Sequence, residues 1–233
     1  MLKSSKVEGE RIFIMLKVVV FDSGYGGEFL ADKIEEELPV IGIIRVIDWR
    51  NANKILTSPK EARRIAREDL RPYIGKVDLI IFANHLLTVT SLKYFQRKFK
   101  DQKFIGLGLR KPKAPVKDST IILTTKAVTK TISYYNFILH LSHKSKTMTL
   151  DSWPEKIDDG ELTFTEISDT LKGLVDRSVS SQEIFLFCSQ FYDIKSELTK
   201  LFGNTIKIHD GFDDMIREIC RILKIRGGMK KLK

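Results

Sequence analysis

The sharpest chemical signal in the chain is VVVFDSGYGG, residues 18–27, where an apolar strand-like run ends in an acid, Asp22, a hydroxyl, Ser23, and the glycines Gly24, Gly26 and Gly27. A loop of this composition belongs at the carboxyl edge of a sheet, where α/β proteins bind ligands. A dinucleotide fingerprint needs a further glycine where this chain has Phe29, and no lysine completes a triphosphate-binding loop. A haloacid-type phosphatase needs a second aspartate where Gly24 stands. The other chemically able residue is Cys188, which follows the apolar run EIFLF. Read by itself, a cysteine there is a small buried side chain. Cys220 shares a helical face with Met215, Ile216, Ile219 and Leu223 and reads as core. His85, His140, His143 and His209 show no ligand spacing with a cysteine or an acid cluster, so no metal site is implied.

The elements that must position these residues are legible as alternation. Short β-rich runs (LKVVVF, VIGIIRVI, VDLIIFA, KFIGLGL, STIILTT, EIFLF, TIKIH) alternate with helix-patterned segments, the signature of parallel-rich sheets flanked by helices. One helix start is explicit: Ser58, Pro59 and Glu61 supply an N-cap, a first-turn proline and a capping-box acid ahead of Ala62, Ile65, Ala66 and Leu70. The proline-bearing stretch LRKPKAPVKDS reads as a crossing between two lobes, and a second boundary falls near Lys207–Gly211. Residues 1–15 read as a disordered leader.

At 233 residues, 42% hydrophobic and 30% charged, the composition is that of a soluble globular protein. No apolar run approaches the ~20 residues that a membrane helix needs. The N-terminal residues lack a secretory pattern and only two cysteines occur, which together suggest a reducing cytoplasm. The net charge of +10 would suit nucleic acid. In SLKYFQRKFKDQKF, however, Leu92, Phe95 and Phe99 recur at helical spacing, so a buried stripe with lysines on the opposite face is the better reading.

The motifs together resemble the aspartate/glutamate racemase superfamily, and glutamate racemase within it. FDSGYGG is similar to the FDSGxGG motif that opens glutamate racemases. VDLIIFANHL is similar to the strand that ends there in Cys-Asn-Thr, and EIFLFCSQFYD to the one that ends in Gly-Cys-Thr-His-Tyr-Pro. LTTKAVTKTISYY resembles the family's Gly-Thr-x-x-Thr-x-Lys-Ser run, and IHDGFDDMIREI its closing Asp-Ser strand and C-terminal helix. The resemblance spans about residues 16 to 225. It implies two pseudo-symmetric α/β lobes with the site between them, one from residues 16–110 plus 209–233 and the other from 111–208.

The family moves an α-proton between two thiols without a cofactor, because removal needs a base on one face and inversion a donor on the other. Here the second thiol survives as Cys188 while Ala83 stands in place of the first, so the two-thiol reaction cannot run. The resemblance assigns catalytic roles to Cys188 and Asp22, and substrate binding to Ser23, Asn84, Ser189 and Thr125. His85 stands where the family has a substrate-binding threonine, and Gln190 replaces the assisting histidine. If the chain stays extended past Ala83, His85 points towards the vacated face and could serve as the second base. The alternatives are that its imidazole fills the pocket or faces solvent.

The expected substrate is a small carboxylate such as glutamate or aspartate, with no cofactor and no membrane. A homodimer and a nucleic-acid or gyrase association are further options. A non-catalytic racemase-fold binding protein and a single-cysteine isomerase or decarboxylase are the competing functions.

Overall fold

The computed structural model describes residues 6–7, 10–11, 15–108, 119–141, 145–174, 182–203 and 206–225. Most of the leader, the crossing segment at 109–118 and the basic tail from 226 lie outside the described residues.

The strands run β1 (Lys6–Val7), β2 (Glu10–Arg11), β3 (Leu16–Asp22), β4 (Ile41–Ile47), β5 (Leu79–Phe82), β6 (Phe104–Gly106), β7 (Ser119–Thr124), β8 (Lys146–Thr149), β9 (Gln182–Phe187) and β10 (Lys207–His209). Between and after them lie α1 (Tyr25–Glu37), α2 (Ala52–Thr57), α3 (Pro59–Leu70), α4 (His85–Lys98), α5 (Lys126–Thr129), α6 (Ile132–Ile138), α7 (Trp153–Asp158), α8 (Phe164–Leu171), α9 (Lys195–Phe202) and α10 (Phe212–Leu223). β1 and β2 form a small antiparallel pair.

The other strands make two four-stranded sheets of order β4-β3-β5-β6 and β10-β9-β7-β8, and every pairing in them is parallel. In each half the first strand sits between the second and the third, and the fourth lies outside the third. The expected pair of equivalent α/β halves is therefore present.

The central strands are apolar on both faces because both faces are covered. Val18 and Val20 of β3 join the core that holds Leu30, Ile34 and Ile216, while Val19 and Phe21 join the core of Ile65, Leu70 and Phe95. β9 divides likewise, with Ile184 and Leu186 on one side and Phe185 and Phe187 on the other.

α10 follows the edge strand of the second sheet, yet its Phe212, Met215, Ile216 and Ile219 complete a core of the first. Cys220 packs against that core from the partly buried side of the helix. Phe95 is fully buried, with Leu92 and Phe99 packed beside it, as their spacing predicts. Ser58 Oγ accepts the Glu61 amide at 3.3 Å and Pro59 opens α3, as the cap signals predict. Among the described residues no helix is long and apolar enough to cross a membrane.

Candidate active site

The carboxyl ends of β3 and β9 face each other across the two lobes. Asp22, the last residue of β3, is fully buried. Its Oδ1 accepts the Ser23 amide at 2.6 Å and the Asn84 Nδ2 at 3.1 Å, and its Oδ2 accepts the Ser189 hydroxyl of the other lobe at 3.1 Å. Burial disfavours the charged form more than these donors restore it, so the carboxyl is raised to about 7.

From the second lobe, Cys188 follows β9 and opens the short 3-10 turn Ser189–Tyr192. Its thiol donates to Gln190 Oε1 at 3.0 Å, and the Ser189 hydroxyl lies 3.3 Å from the same oxygen. Burial pushes the thiol up to about 12; the amides of Gln190 and Phe191 oppose this, while the charges of Asp22 and Asp158 add to it. The residue keeps part of its surface exposed although its sulfur is enclosed.

Asp158, at the end of α7, closes the arrangement. It accepts the Tyr25 amide of the first lobe at 3.3 Å and bonds the Gln190 side chain. Burial raises its carboxyl to about 6. The Gln190 amide therefore bridges the Cys188 thiol and the Asp158 carboxyl.

The glycines of the opening motif are what this approach requires. A Cβ on Gly24 would stand 2.4 Å from Gln190 Nε2, and one on Gly26 would stand 2.1 Å from Ser189 Oγ.

The remaining sequence-derived residues fall as follows. Ser23 is buried beside Asp22 and gives it a backbone donor. Asn84 N-caps α4, its Oδ1 accepting the Leu87 amide at 3.1 Å while its Nδ2 holds Asp22, so both ends of the side chain have protein partners. That cap turns the chain into helix at His85, and the extended path that would aim His85 at the vacated thiol position is not followed. The imidazole is buried instead, with its ring 5.8 Å from that of Phe187 and no partner for Nδ1 among the described residues. Burial lowers it to about 3, which fixes the neutral form.

Ala83 is fully buried in the first-lobe core. Thr125 stands at the N-cap position of the short α5, just past the carboxyl end of β7, without a side-chain cap bond, and takes no part in the contacts that join Asp22 to Cys188. Among the described residues no group of three or more His, Cys, Asp or Glu side chains is placed to hold a metal ion.

Sequence reasoning missed Asp158, whose neighbours Asp159 and Gly160 carry no signal of a buried position.

No protein-family model matches the chain. A glutamate racemase from Clostridium perfringens (strain SM101 / Type A) is 26% identical over 223 residues, covering 91% of this chain and 85% of the relative. The crystal structure of glutamate racemase isoform RacE1 from Bacillus anthracis has the same fold, with a TM-score of 0.71 at 17% identity over 94% of this chain and 85% of that one. The Escherichia coli glutamate racemase, solved with L-glutamate and the activator UDP-MurNAc-ala, also gives a TM-score of 0.71, at 19% identity over 90% of this chain and 83% of that one. Likeness in sequence along nearly the whole length, joined to the shared two-lobed fold, supports a resemblance to the aspartate/glutamate racemase superfamily and, within it, to glutamate racemase.

Proposed function

We propose that this chain transfers the α-proton of a small amino acid without a cofactor, with Cys188 as proton donor on one face and Asp22 as base on the other. The observation that carries the proposal is the run of contacts from Asp22 through Ser189 and Gln190 to Cys188, which joins one titratable group from each lobe; the single Ser189 proton goes to Asp22 Oδ2 at 3.1 Å or to Gln190 Oε1 at 3.3 Å, and the Cys188 thiol donates to Gln190 Oε1 at 3.0 Å. Their surroundings push the two groups apart, and such a split marks an acid and a base. With its thiol up at about 12, Cys188 carries its proton at neutral pH. With its carboxyl at about 7, Asp22 is half ionised there.

The Asp22 carboxylate takes the α-proton, and the Cys188 S–H protonates the resulting carbanion from the opposite side. This leaves a carboxylic acid and a thiolate, the pair needed for the reverse direction. His85 is not assigned the base, because an imidazole held near 3 is too weak for the task. A ligand bearing an α-carboxylate is supported by the glutamate bound to the Escherichia coli relative.

The test is incubation with each enantiomer of the common amino acids in heavy water, followed by proton NMR, with Cys188→Ser as the control. Exchange with inversion that vanishes in Cys188→Ser is the expected result. Inversion that survives Cys188→Ser contradicts the proposal.

A second reading is favoured by the protonated resting state of Cys188 itself. A decarboxylase needs no base, since loss of CO2 leaves a carbanion that the thiol then protonates. Cys188-dependent CO2 release from an α-substituted malonate, without α-proton exchange of any amino acid, would select it.

A further inference from the structure

α3 and α4 pack side by side on the first lobe, and cations from both converge on one phenol at their shared outer face. Arg63 of α3 donates from Nε to the Thr90 carbonyl of α4 at 2.9 Å, and its guanidinium lies 5.9 Å from the centre of the Tyr94 ring. Lys98 Nζ lies 5.5 Å from the same ring and donates to the Tyr94 hydroxyl at 3.1 Å. Lys98 first, and Arg67 after it, hold the Tyr94 phenol below its ordinary range, so Arg67 faces the same group. Lys93 and Arg97, both exposed and one turn apart on α4, extend the positive surface.

The acids nearest in sequence do not neutralise it. Glu61 and Glu68 both bind Arg64, which stands about 100° round α3 from Arg63. From His85 to Lys103 the sole acid is Asp101. None of Arg63, Arg67, Lys93, Arg97 and Lys98 makes an ion pair with a carboxylate among the described residues. Nor does any exposed large apolar side chain among the described residues lie on α3 or α4. A helix that lies in a membrane surface inserts an apolar face, and the core of a protein–protein contact is depleted in charge. This surface meets neither requirement, whereas a phosphodiester backbone asks only for cations and hydrogen-bond donors in rows.

We propose that the outer face of α3 and α4 binds the phosphodiester backbone of nucleic acid, with Arg63, Arg67 and Lys98 as phosphate contacts and Lys93 and Arg97 beside them. Arg63 and Arg67 stand one helical turn apart, about 5.4 Å of rise, and meet neighbouring phosphates while Lys98 reaches in from the adjoining helix. Their planar guanidinium groups match phosphate oxygens with paired N–H donors. Tyr94, half-buried beneath the cations, positions them and is not free to stack on a base, so the face reads charge and not sequence. The net charge of +10 favours approach to a polyanion from any side, and this face gives the approach a docking point. Lys98 lies at the end of α4 away from Asn84, so the surface works independently of the proposed proton transfer.

The experiment measures fluorescence anisotropy of labelled duplex DNA and duplex RNA with the full-length chain, at KCl concentrations from about 50 to about 200 mM. At a slope of about −0.9 per phosphate neutralised, three contacts alone make affinity fall roughly 40-fold over that range. Replacing Arg63, Arg67 and Lys98 together by Gln should flatten the slope by about 2.7 and weaken binding at least about tenfold at the lower salt. A second-lobe control that removes the same charge, Lys130→Gln with Lys146→Gln and Lys172→Gln, should keep the wild-type slope. Should the first triple variant not fold, Lys93→Gln with Arg97→Gln, both at exposed positions, takes its place with a flattening of about 1.8. Binding of either duplex with this dependence supports the proposal, and the tighter one names the source. No binding at about 50 mM KCl, a control that flattens the slope as much as the α3 and α4 variants, or tighter binding to phosphatidylserine-containing vesicles than to either duplex overturns it.

Discussion

Burying Asp22 beside neutral donors makes its ionised form a burden on the fold. Its carboxyl is raised from the ordinary 3.8 to about 7, so between those values the folded chain holds a proton that the unfolded chain has released. The stabilisation is complete below the unfolded value and is lost as pH rises through about 7. At roughly 1.4 kcal/mol per unit, the loss is on the order of 4 kcal/mol for this fully buried group. Chemical denaturation should accordingly show wild type less stable at pH 8 than at pH 5. Asp22→Asn, which removes the titration, should lose that share of the slope. The other prediction at this scale concerns Gln190, which accepts the Cys188 proton through Oε1 and cannot act as a base. Wild-type Cys188 should alkylate slowly with iodoacetamide at pH 7.5, and Gln190→His should speed it by about tenfold or more, read by peptide mass spectrometry.

At the scale of elements, local signals were legible and tertiary ones were not. Ser58, Pro59 and Glu61 announce the start of α3 because an N-cap is a contact between neighbours in sequence. Ser58→Ala should cost about 1 kcal/mol in a thermal or denaturant melt. Asn84 carried the same kind of signal for α4, but reading the chain as extended past Ala83 hid it and misdirected His85. β8 went unread because KTMT is an edge strand with only Met148 partly buried. Its place is dictated by pairing with β7 and not by an apolar alternation of its own. Asp158 was invisible for a similar reason, since only the packing of α7 against the Ser189–Tyr192 turn brings it to Tyr25 and Gln190. The glycines after Asp22 were legible as a ligand loop, yet their tightest constraint comes from the other lobe. Gly26→Ala would set a methyl 2.1 Å from Ser189 Oγ, so the lobes must part there. The expected outcome is loss of Cys188-dependent exchange in a protein that still folds, checked by circular dichroism beside the exchange assay.

The whole molecule repeats one plan, a central first strand with the second and third at its sides and the fourth beyond, and this was legible because both central strands are apolar on both faces. The return of α10 to the first core was legible only through the family resemblance, since nothing in its own amphipathic pattern says which sheet it covers. The repeat sets one strand end from each half at the interlobe site, Asp22 from β3 and Cys188 just after β9. In the proposed chemistry the first half contributes a base and the second an acid, where the resembled family uses two thiols. The pH dependence of α-proton exchange in wild type and Asp22→Asn tests that division most directly. The expected profile rises with a midpoint near 7, where Asp22 ionises, holds to about pH 10 because the thiol keeps its proton, and disappears in Asp22→Asn. A rise that comes instead with thiol ionisation in the alkaline range, and persists in Asp22→Asn, would make Cys188 the base and contradict the assignment.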